Sequence, residues 1–177
     1  MPALSEPREL FLEELGDIYY AEKTIEKMLG TLAREASDRE LAAGFEEHRA
    51  QTREQIENVE RVFEALGSRP RAKQCPGIDG IKEEHDEFMS EHSGTPAELC
   101  DLFLTGAASR TEHYEIAAYT GLVGMAKALG ERESATLLEQ NLRQEKETLK
   151  AVESVAKRLA RSAAPRGSRR GSGGNGS

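Results

Sequence analysis

Apolar residues recur along most of this chain at alternating spacings of three and four positions, which predicts long helices with one buried face each. The first such stripe contains Phe11, Leu15, Ile18, Glu22, Ile25, Leu29, Leu32 and Ala36. Every member is apolar or small except Glu22. The sequence Ser5-Glu6-Pro7 predicts the start of this helix, with Ser5 as the N-cap and Pro7 in the first turn.

A second helix is predicted almost at once, because Ser37-Asp38-Arg39-Glu40 has the pattern of a capping box. It should end at Leu66-Gly67, where glycine favours termination. Its stripe contains Leu41, Phe45, His48, Thr52, Gln55, Val59, Val62 and Leu66, with Gln51 and Glu54 at the margins. So short a connection makes the two helices antiparallel. Reflection through the turn then places Glu22 opposite the polar middle of the second helix, at about residue 52.

Residues 68–94 form a predicted crossover, which contains a short helix from about Ile81 to Glu91. The sequence Thr95-Pro96-Ala97-Glu98 then predicts the start of a third long helix, which should end at Leu129-Gly130. Its stripe contains Thr105, Ala108, Glu112, Glu115, Tyr119, Leu122, Ala126 and Leu129. Two carboxylates therefore occupy a face that should be buried.

A fourth long helix is predicted from near Glu131 to about Arg161. Its stripe contains Leu138, Leu142, Glu145, Leu149, Val152, Ala156 and Leu159. Reflection through the turn near residue 130 places Glu115 level with Glu145. The predicted fold is all-α, an antiparallel four-helix bundle over residues 1–161 with a long crossover between its second and third helices. Residues 162–177, rich in Gly, Ser and Arg, are predicted to be a flexible basic tail.

Composition and charge narrow the classes of protein. With 32% charged residues, 5% aromatic residues and no Trp, the chain suits long amphipathic helices better than a β-sandwich. The net charge is −8, and no acidic residue follows Glu153, so the body is strongly acidic and only the tail hints at nucleic-acid binding. Cys75 and Cys100 lack the Cys-x-x-Cys spacing of a zinc site. Neither a secretory signal nor a membrane span is expected, which predicts a cytoplasmic protein with free thiols.

Carboxylates on three of the four stripes, Glu22, Glu112 with Glu115, and Glu145, fall at the same level of the predicted bundle. A buried Glu is costly unless a proton, a basic partner or a metal neutralises it. Carboxylates that converge in a bundle core, with an occasional imidazole, are the ligand set of a di-iron or di-manganese site. The alternative for each Glu alone is a position at the stripe's edge, with a packed stem and a solvated carboxylate.

The remaining polar residues admit less specific roles. His48 is predicted either as a ligand or as a hydrogen-bonding helix residue. His113 points about 100° away from Glu112, and we expect it on the surface. We also expect His85 and His92 on the surface, and Tyr20 and Tyr119 to pack and donate hydrogen bonds rather than to take part in redox chemistry.

Taken together in order, several motifs resemble the YciE/YciF family of ferritin-like stress proteins over about residues 6–160. The motifs are Tyr20-Ala21-Glu22-Lys23, Phe45 with His48, Thr52 and Gln55, Cys75 with Gly80, Glu112-His113-Tyr114-Glu115-Ile116-Ala117 with Tyr119, and Glu145-Lys146. The resemblance implies a ferritin-like four-helix bundle related to rubrerythrins. It also implies a homodimer in the bacterial cytoplasm and an association with osmotic, oxidative and general stress.

The same resemblance implies metal ligands at Glu22, Glu112, Glu115 and Glu145. Ferritin-like sites carry Glu-x-x-His on the second helix, where this chain has Gln51-x-x-Glu54, and Leu149 stands where the family tends to have Asp. The candidate metal ligands are thus Glu22, His48, Gln51, Glu54, Glu112, Glu115 and Glu145.

The sequence is compatible with two main functions, only one of which involves catalysis, and it does not decide whether the protein is an enzyme. The first is a ferritin-like stress-response protein whose di-iron or di-manganese site acts on oxygen, peroxide or iron. The second is a non-catalytic stress dimer with a degenerate metal site. A weaker third hypothesis is an interaction module whose basic tail binds nucleic acid.

Overall fold

The computed structural model describes residues 3–164, and these form five α-helices and no strand. The helices are α1 (Pro7–Glu35), α2 (Arg39–Ala65), α3 (Pro76–Glu91), α4 (Ala97–Ala128) and α5 (Arg132–Ala163). Helices α1 and α2 form one antiparallel hairpin and α4 and α5 another, while α3 lies in the crossover against α1 and α4. The predicted four-helix bundle is confirmed. The tail was predicted over residues 162–177; residues 162 and 163 belong to α5, and residues 165–177 lie outside the described residues.

The helix starts differ from the predictions by one residue at two places. The N-cap of α1 is Glu6 rather than Ser5, because the Glu9 carboxylate accepts the backbone N–H of Ser5 at 2.6 Å and that of Glu6 at 3.1 Å. The N-cap of α4 is Pro96 rather than Thr95, and its carbonyl accepts the first helical N–H groups. The helix ends are as predicted: Gly67 and Gly130 follow α2 and α4 with φ of 66° and 77°, a conformation that favours glycine.

Helix α3 begins at Pro76, earlier than the predicted start near Ile81. Cys75 is the N-cap and Pro76 occupies the first turn, so this proline starts a helix instead of interrupting the chain. Gly77 lies under the ring of Tyr114, where a Cβ would come within 2.6 Å of a ring carbon. The earlier start allows α3 to bury Ile78 and His85 on one face against the bundle.

The core follows the predicted stripes of α1, α2 and α4 almost throughout. On α5 the stripe is displaced: Leu142 and Leu149 are only half-buried, while Asn141 is fully buried. The buried seam of α5 is therefore more polar than its leucines suggest. No helix within residues 3–164 is both long enough and apolar enough to span a bilayer.

The connection between α1 and α2 is fastened to the other hairpin at one end of the bundle. The buried Asp101 carboxylate on α4 accepts the backbone N–H groups of Ser37 (2.8 Å) and Asp38 (3.0 Å) and the Ser37 hydroxyl (2.5 Å). Asp38 in turn caps α2 through Leu41 N–H and accepts two hydrogen bonds from Arg158 on α5. These contacts set the level at which the two hairpins meet.

We expect Asp101→Ala to lower the free energy of unfolding by about 2–4 kcal/mol, because three donors lose a charged acceptor in a buried position. Ser37→Ala removes only the hydroxyl contact and should cost about 1 kcal/mol. Urea denaturation followed by circular dichroism measures both changes. Equal losses in the two variants would contradict the central role of the Asp101 carboxylate.

Candidate metal centre

Four carboxylates and one imidazole meet at mid-height in the bundle. Glu22 on α1, Glu112 and Glu115 on α4, and Glu145 on α5 are each at most 1% exposed. His48 on α2 is 3% exposed. One ligand atom from each of His48, Glu112, Glu115 and Glu145 can be chosen so that all four lie within 4.8 Å of one another. The reflection through the turn near residue 130 thus brings Glu115 and Glu145 together as expected, and the packing of α2 against α5 adds His48.

One ring nitrogen of His48 faces the carboxylates, and the other faces the hydroxyl of Thr148 at the edge of the cluster. Its Nε2 lies 3.2 Å from Glu112 Oε1 and 3.7 Å from Glu145 Oε2. Its Nδ1 lies 3.5 Å from the hydroxyl of Thr148. Of the two roles that the sequence left open for His48, this orientation favours the ligand.

Glu22 lies beside this group and is positioned by a chain of hydrogen bonds. The Tyr119 hydroxyl donates to Glu22 Oε1 and accepts from Asn141 Nδ2 at 3.0 Å. Asn58 Nδ2 donates to Asn141 Oδ1 at 2.8 Å, which ties α2 to α5. The prediction that Tyr119 packs and donates a hydrogen bond is confirmed.

Amide side chains complete the surroundings of the acids. Gln55 Nε2 donates to Glu145 Oε1. Asn141 Nδ2 also donates to the backbone carbonyl oxygen of Gln55 at 3.2 Å. The periodicity of α2 predicted that Gln55 lies in the polar patch opposite Glu22. It did not predict that Asn58 and Asn141 belong to the same hydrogen-bond network. Asn141 precedes Glu145 by four positions, so the two share a helix face, and that spacing was the available signal.

Two of the predicted ligands do not join the cluster. Gln51 is half-buried at the rim of α2, where its Oε1 accepts a hydrogen bond from Thr148 at 3.5 Å. Glu54 is exposed to solvent. The neighbouring positions Thr52 and Gln55 face the interior instead, and both are fully buried. On α2 the imidazole therefore comes from His48, and no carboxylate of that helix contributes.

The other histidines divide between agreement and correction. His113 and His92 are exposed, as predicted. The surface prediction for His85 is wrong. It is 4% exposed, with Nε2 at 2.8 Å from Glu35 Oε2, Nδ1 at 3.0 Å from Asp86 Oδ1, and its ring stacked near Phe103. Burial follows from the early start of α3, which places this residue on the inner face.

Unsatisfied oxygens mark the cluster as a place for a cation. Five buried carboxylate oxygens there accept no hydrogen bond: Glu22 Oε2, Glu112 Oε2, Glu145 Oε2 and both oxygens of Glu115. Within residues 3–164 no Lys or Arg forms an ion pair with these acids. Buried polar atoms without partners are rare in folded proteins. Oxygen and imidazole donors converging in this way fit a divalent transition metal.

Burial raises the pKa values of all four acids, and repulsion from neighbouring carboxylates adds to the shift for Glu22, Glu115 and Glu145. Burial raises the pKa of Glu112 to about 7. Burial, reinforced by the charge of Glu145, raises the pKa values of Glu22 and Glu115 well above the usual range. The pKa of Glu145 is raised by burial and by Glu112, against the opposing effect of His48. In the absence of a cation, the folded state is therefore lowest in free energy when these carboxyl groups are protonated.

Comparison with known proteins connects this geometry to one family. A family model described as "Domain of unknown function (DUF892)" matches residues 6–165. Protein YciF of Escherichia coli strain K12 is 36% identical over 141 residues, which cover 79% of this chain and 84% of that protein.

Solved structures give the same result for the fold. The crystal structure of the E. coli stress protein YciF matches with a TM-score of 0.84 at 33% identity, covering 89% of this chain and 99% of that one. YcfI from Rhodopseudomonas palustris matches with a TM-score of 0.83 at 36% identity, covering 86% and 96%. A protein from Xanthomonas campestris matches with a TM-score of 0.70 at 25% identity, covering 89% and 95%.

We expect the metal-free protein to lose stability as pH rises from about 5 to about 8, because a carboxyl whose pKa is raised by folding favours the folded state only while protonated. The loss should begin above the ordinary Glu value of 4.5 and pass through about 7 for Glu112, and the other three acids, whose pKa values are also raised well above 4.5, should add to it. Thermal denaturation of chelator-treated protein across this range measures it. Stability that rises with pH would contradict the buried, repelling cluster.

Replacement of one acid by its amide should reduce this dependence. We expect Glu22→Gln to stabilise the metal-free protein at about pH 8, because the amide occupies the same buried position without a charge that burial and Glu145 disfavour. The matched control is Glu54→Gln, an identical change at an exposed position, which should leave the pH profile unchanged. Urea denaturation at about pH 5 and at about pH 8 separates the two variants.

Proposed function

The chain belongs to the DUF892 family of YciF-like proteins, and on this premise we propose that it is a stress-response protein that binds iron or manganese in the core of its bundle. The observation that carries the proposal is the buried group of His48, Glu112, Glu115 and Glu145 with its unsatisfied oxygens. Homodimer formation and a cytoplasmic location are part of the same proposal.

Charge balance supports two divalent cations as the upper limit of the site. Glu22, Glu112, Glu115 and Glu145 carry four negative charges when ionised, and two divalent ions neutralise them without a basic residue. Oxygen donors with one imidazole suit iron and manganese better than soft metals. Bound iron or manganese would supply the chemistry for reactions with oxygen or peroxide.

The surrounding side chains hold the candidate ligands in place. Tyr119 orients Glu22 through its hydroxyl, and Gln55 fixes one oxygen of Glu145, which leaves the other oxygen of each acid directed at the cluster. Hydrogen bonds from neighbours commonly orient metal ligands and tune their basicity. The Thr148 hydroxyl near His48 Nδ1 favours the ring orientation that turns Nε2 inward.

The donors of the two hairpins are unequal, which bears on how many ions are held. Helices α4 and α5 contribute Glu112, Glu115 and Glu145, whereas α1 and α2 contribute Glu22 and His48. Gln51 brings a neutral amide where ferritin-like proteins have a carboxylate, and Glu54 is exposed. We infer that one ion binds tightly near the α4 and α5 acids and that a second binds more weakly.

One observation favours the non-catalytic alternative. The network of Tyr119, Asn141, Asn58 and Gln55 already satisfies one oxygen of Glu22 and one of Glu145. With the acids protonated, these contacts would support a metal-free core. A stress protein of this kind would keep the bundle and lack metal chemistry.

Metal analysis distinguishes the two functions. Protein purified without chelator, or reconstituted anaerobically with Fe²⁺ or Mn²⁺, should retain close to one tightly bound ion after gel filtration, with a second lost on dilution. We expect Glu115→Ala to abolish retention, because both of its oxygens lie unpartnered in the cluster. Inductively coupled plasma mass spectrometry gives the stoichiometry.

The matched control is Glu54→Ala, which removes an exposed carboxylate that the sequence alone also predicted as a ligand. It should bind metal like the unmodified protein. Bound metal should also raise the thermal midpoint, more strongly at high pH, because metal competes with protons for the same oxygens. Equal and negligible metal in all three proteins would support the non-catalytic alternative.

A further inference from the structure

Two neighbouring cavities between α2 and α5 share four lining residues, and one of them reaches the cluster at Glu112. The outer cavity, of about 220 Å³, is lined by Gly44, Glu47, His48, Gln51, Glu147, Thr148 and Ala151. The inner cavity, of about 60 Å³, shares Gly44, His48, Thr148 and Ala151 and extends to Glu112. The outer volume is large enough for several water molecules, and the inner one is large enough for one or two.

His48 lies where the two cavities meet. It lines both of them, it is 3% exposed, and its Nε2 has no hydrogen-bond partner. Glu112, whose Oε2 is also unpartnered, lines the inner cavity. The inner cavity is therefore lined by two residues of the candidate metal centre whose ligand atoms, His48 Nε2 and Glu112 Oε2, have no hydrogen-bond partner within residues 3–164.

The charge at the mouth of the outer cavity is negative. Glu47 and Glu147 are exposed on facing helices, and within residues 3–164 neither forms an ion pair. Neither Lys nor Arg lines either cavity. Carboxylates at the opening of a narrow cleft raise the local concentration of cations and their rate of arrival.

We propose that the outer cavity is the route by which divalent cations reach the core, with Glu47 and Glu147 attracting the hydrated ion and His48 receiving it. The inference rests on the proposed metal-binding function and adds the path to it. Glu47 and Glu147 act on the rate of loading, and they leave the final occupancy to the buried ligands. Gly44 lines both cavities, and within residues 3–164 no atom lies within 4 Å of a Cβ placed there, so a larger side chain at this position would enter open space.

The test follows the loading of metal-free full-length protein with Co²⁺ alone by stopped-flow absorbance, with final occupancy measured separately by mass spectrometry. We expect Glu47→Gln/Glu147→Gln to load about tenfold more slowly at low ionic strength. In about 1 M salt, where the Debye length is about 3 Å, the rates should converge. The matched control is Glu57→Gln/Glu83→Gln, which removes two exposed, unpaired carboxylates elsewhere and should load normally.

A second pair of variants tests the path by its width. Gly44→Leu fills the mouth and should slow loading at low and high salt alike, whereas Gly80→Leu, at an equally open position on α3, should have no effect. Equal loading rates in all variants at full occupancy would overturn the route and leave the metal site intact. A lower final occupancy in Glu47→Gln/Glu147→Gln would also overturn it, because these residues would then be ligands. Absence of Co²⁺ from every protein would overturn the proposed function together with the route.

Discussion

The concentration of four carboxyl groups in a dry core is the constraint on which the rest of this structure depends. Each of them lies at the level where the four long helices meet, and each has its pKa raised chiefly by burial. Such a core is stable only if protons or cations neutralise it. The hydrophobic layers on both sides and the Asp101 contacts at one end therefore do more than fold the chain: they offset the free-energy cost of burying these acids.

The cluster forms because each hairpin places the middles of its two helices at the same level, and this does not require the two hairpins to have the same sequence. Each hairpin reverses at a short turn, and reflection through that turn brings the middle of one helix against the middle of the next. Glu115 and Glu145 meet in this way across one turn, and Glu22 and the polar patch of α2 meet across the other. The Asp101 contacts then align the hairpins with each other, so a change far from the centre can alter the spacing of its ligands.

Periodicity was sufficient to predict the helices, their pairing and the acids of α1, α4 and α5, because a Glu that interrupts an apolar stripe is visible in a single sequence. On α2 it also placed His48 and Gln55 on the buried stripe and Gln51 and Glu54 at its margins, as the structure has them. There the similarity to Glu-x-x-His sites pointed to Gln51 and Glu54, whereas the helix turns His48 and Gln55 inward. Asn141 was missed for a related reason, since the neighbouring Leu142 fitted the stripe better. The burial of His85 depended on where α3 begins, and a proline was read as a break instead of a start.

The loss of a carboxylate on α2 has a physical consequence that connects the site to its surroundings. Gln51 lies beside the outer cavity, where water can solvate a ligand or replace it, while Glu115 has no contact with water at all. A substitution at the wet rim costs less than one in the dry interior, because solvent compensates the missing donor. On the route proposed above, a cation would first exchange its water for protein ligands at this rim. A neutral amide there would hold the ion weakly and so favour its transfer toward Glu112 and Glu115, where the unsatisfied oxygens are concentrated.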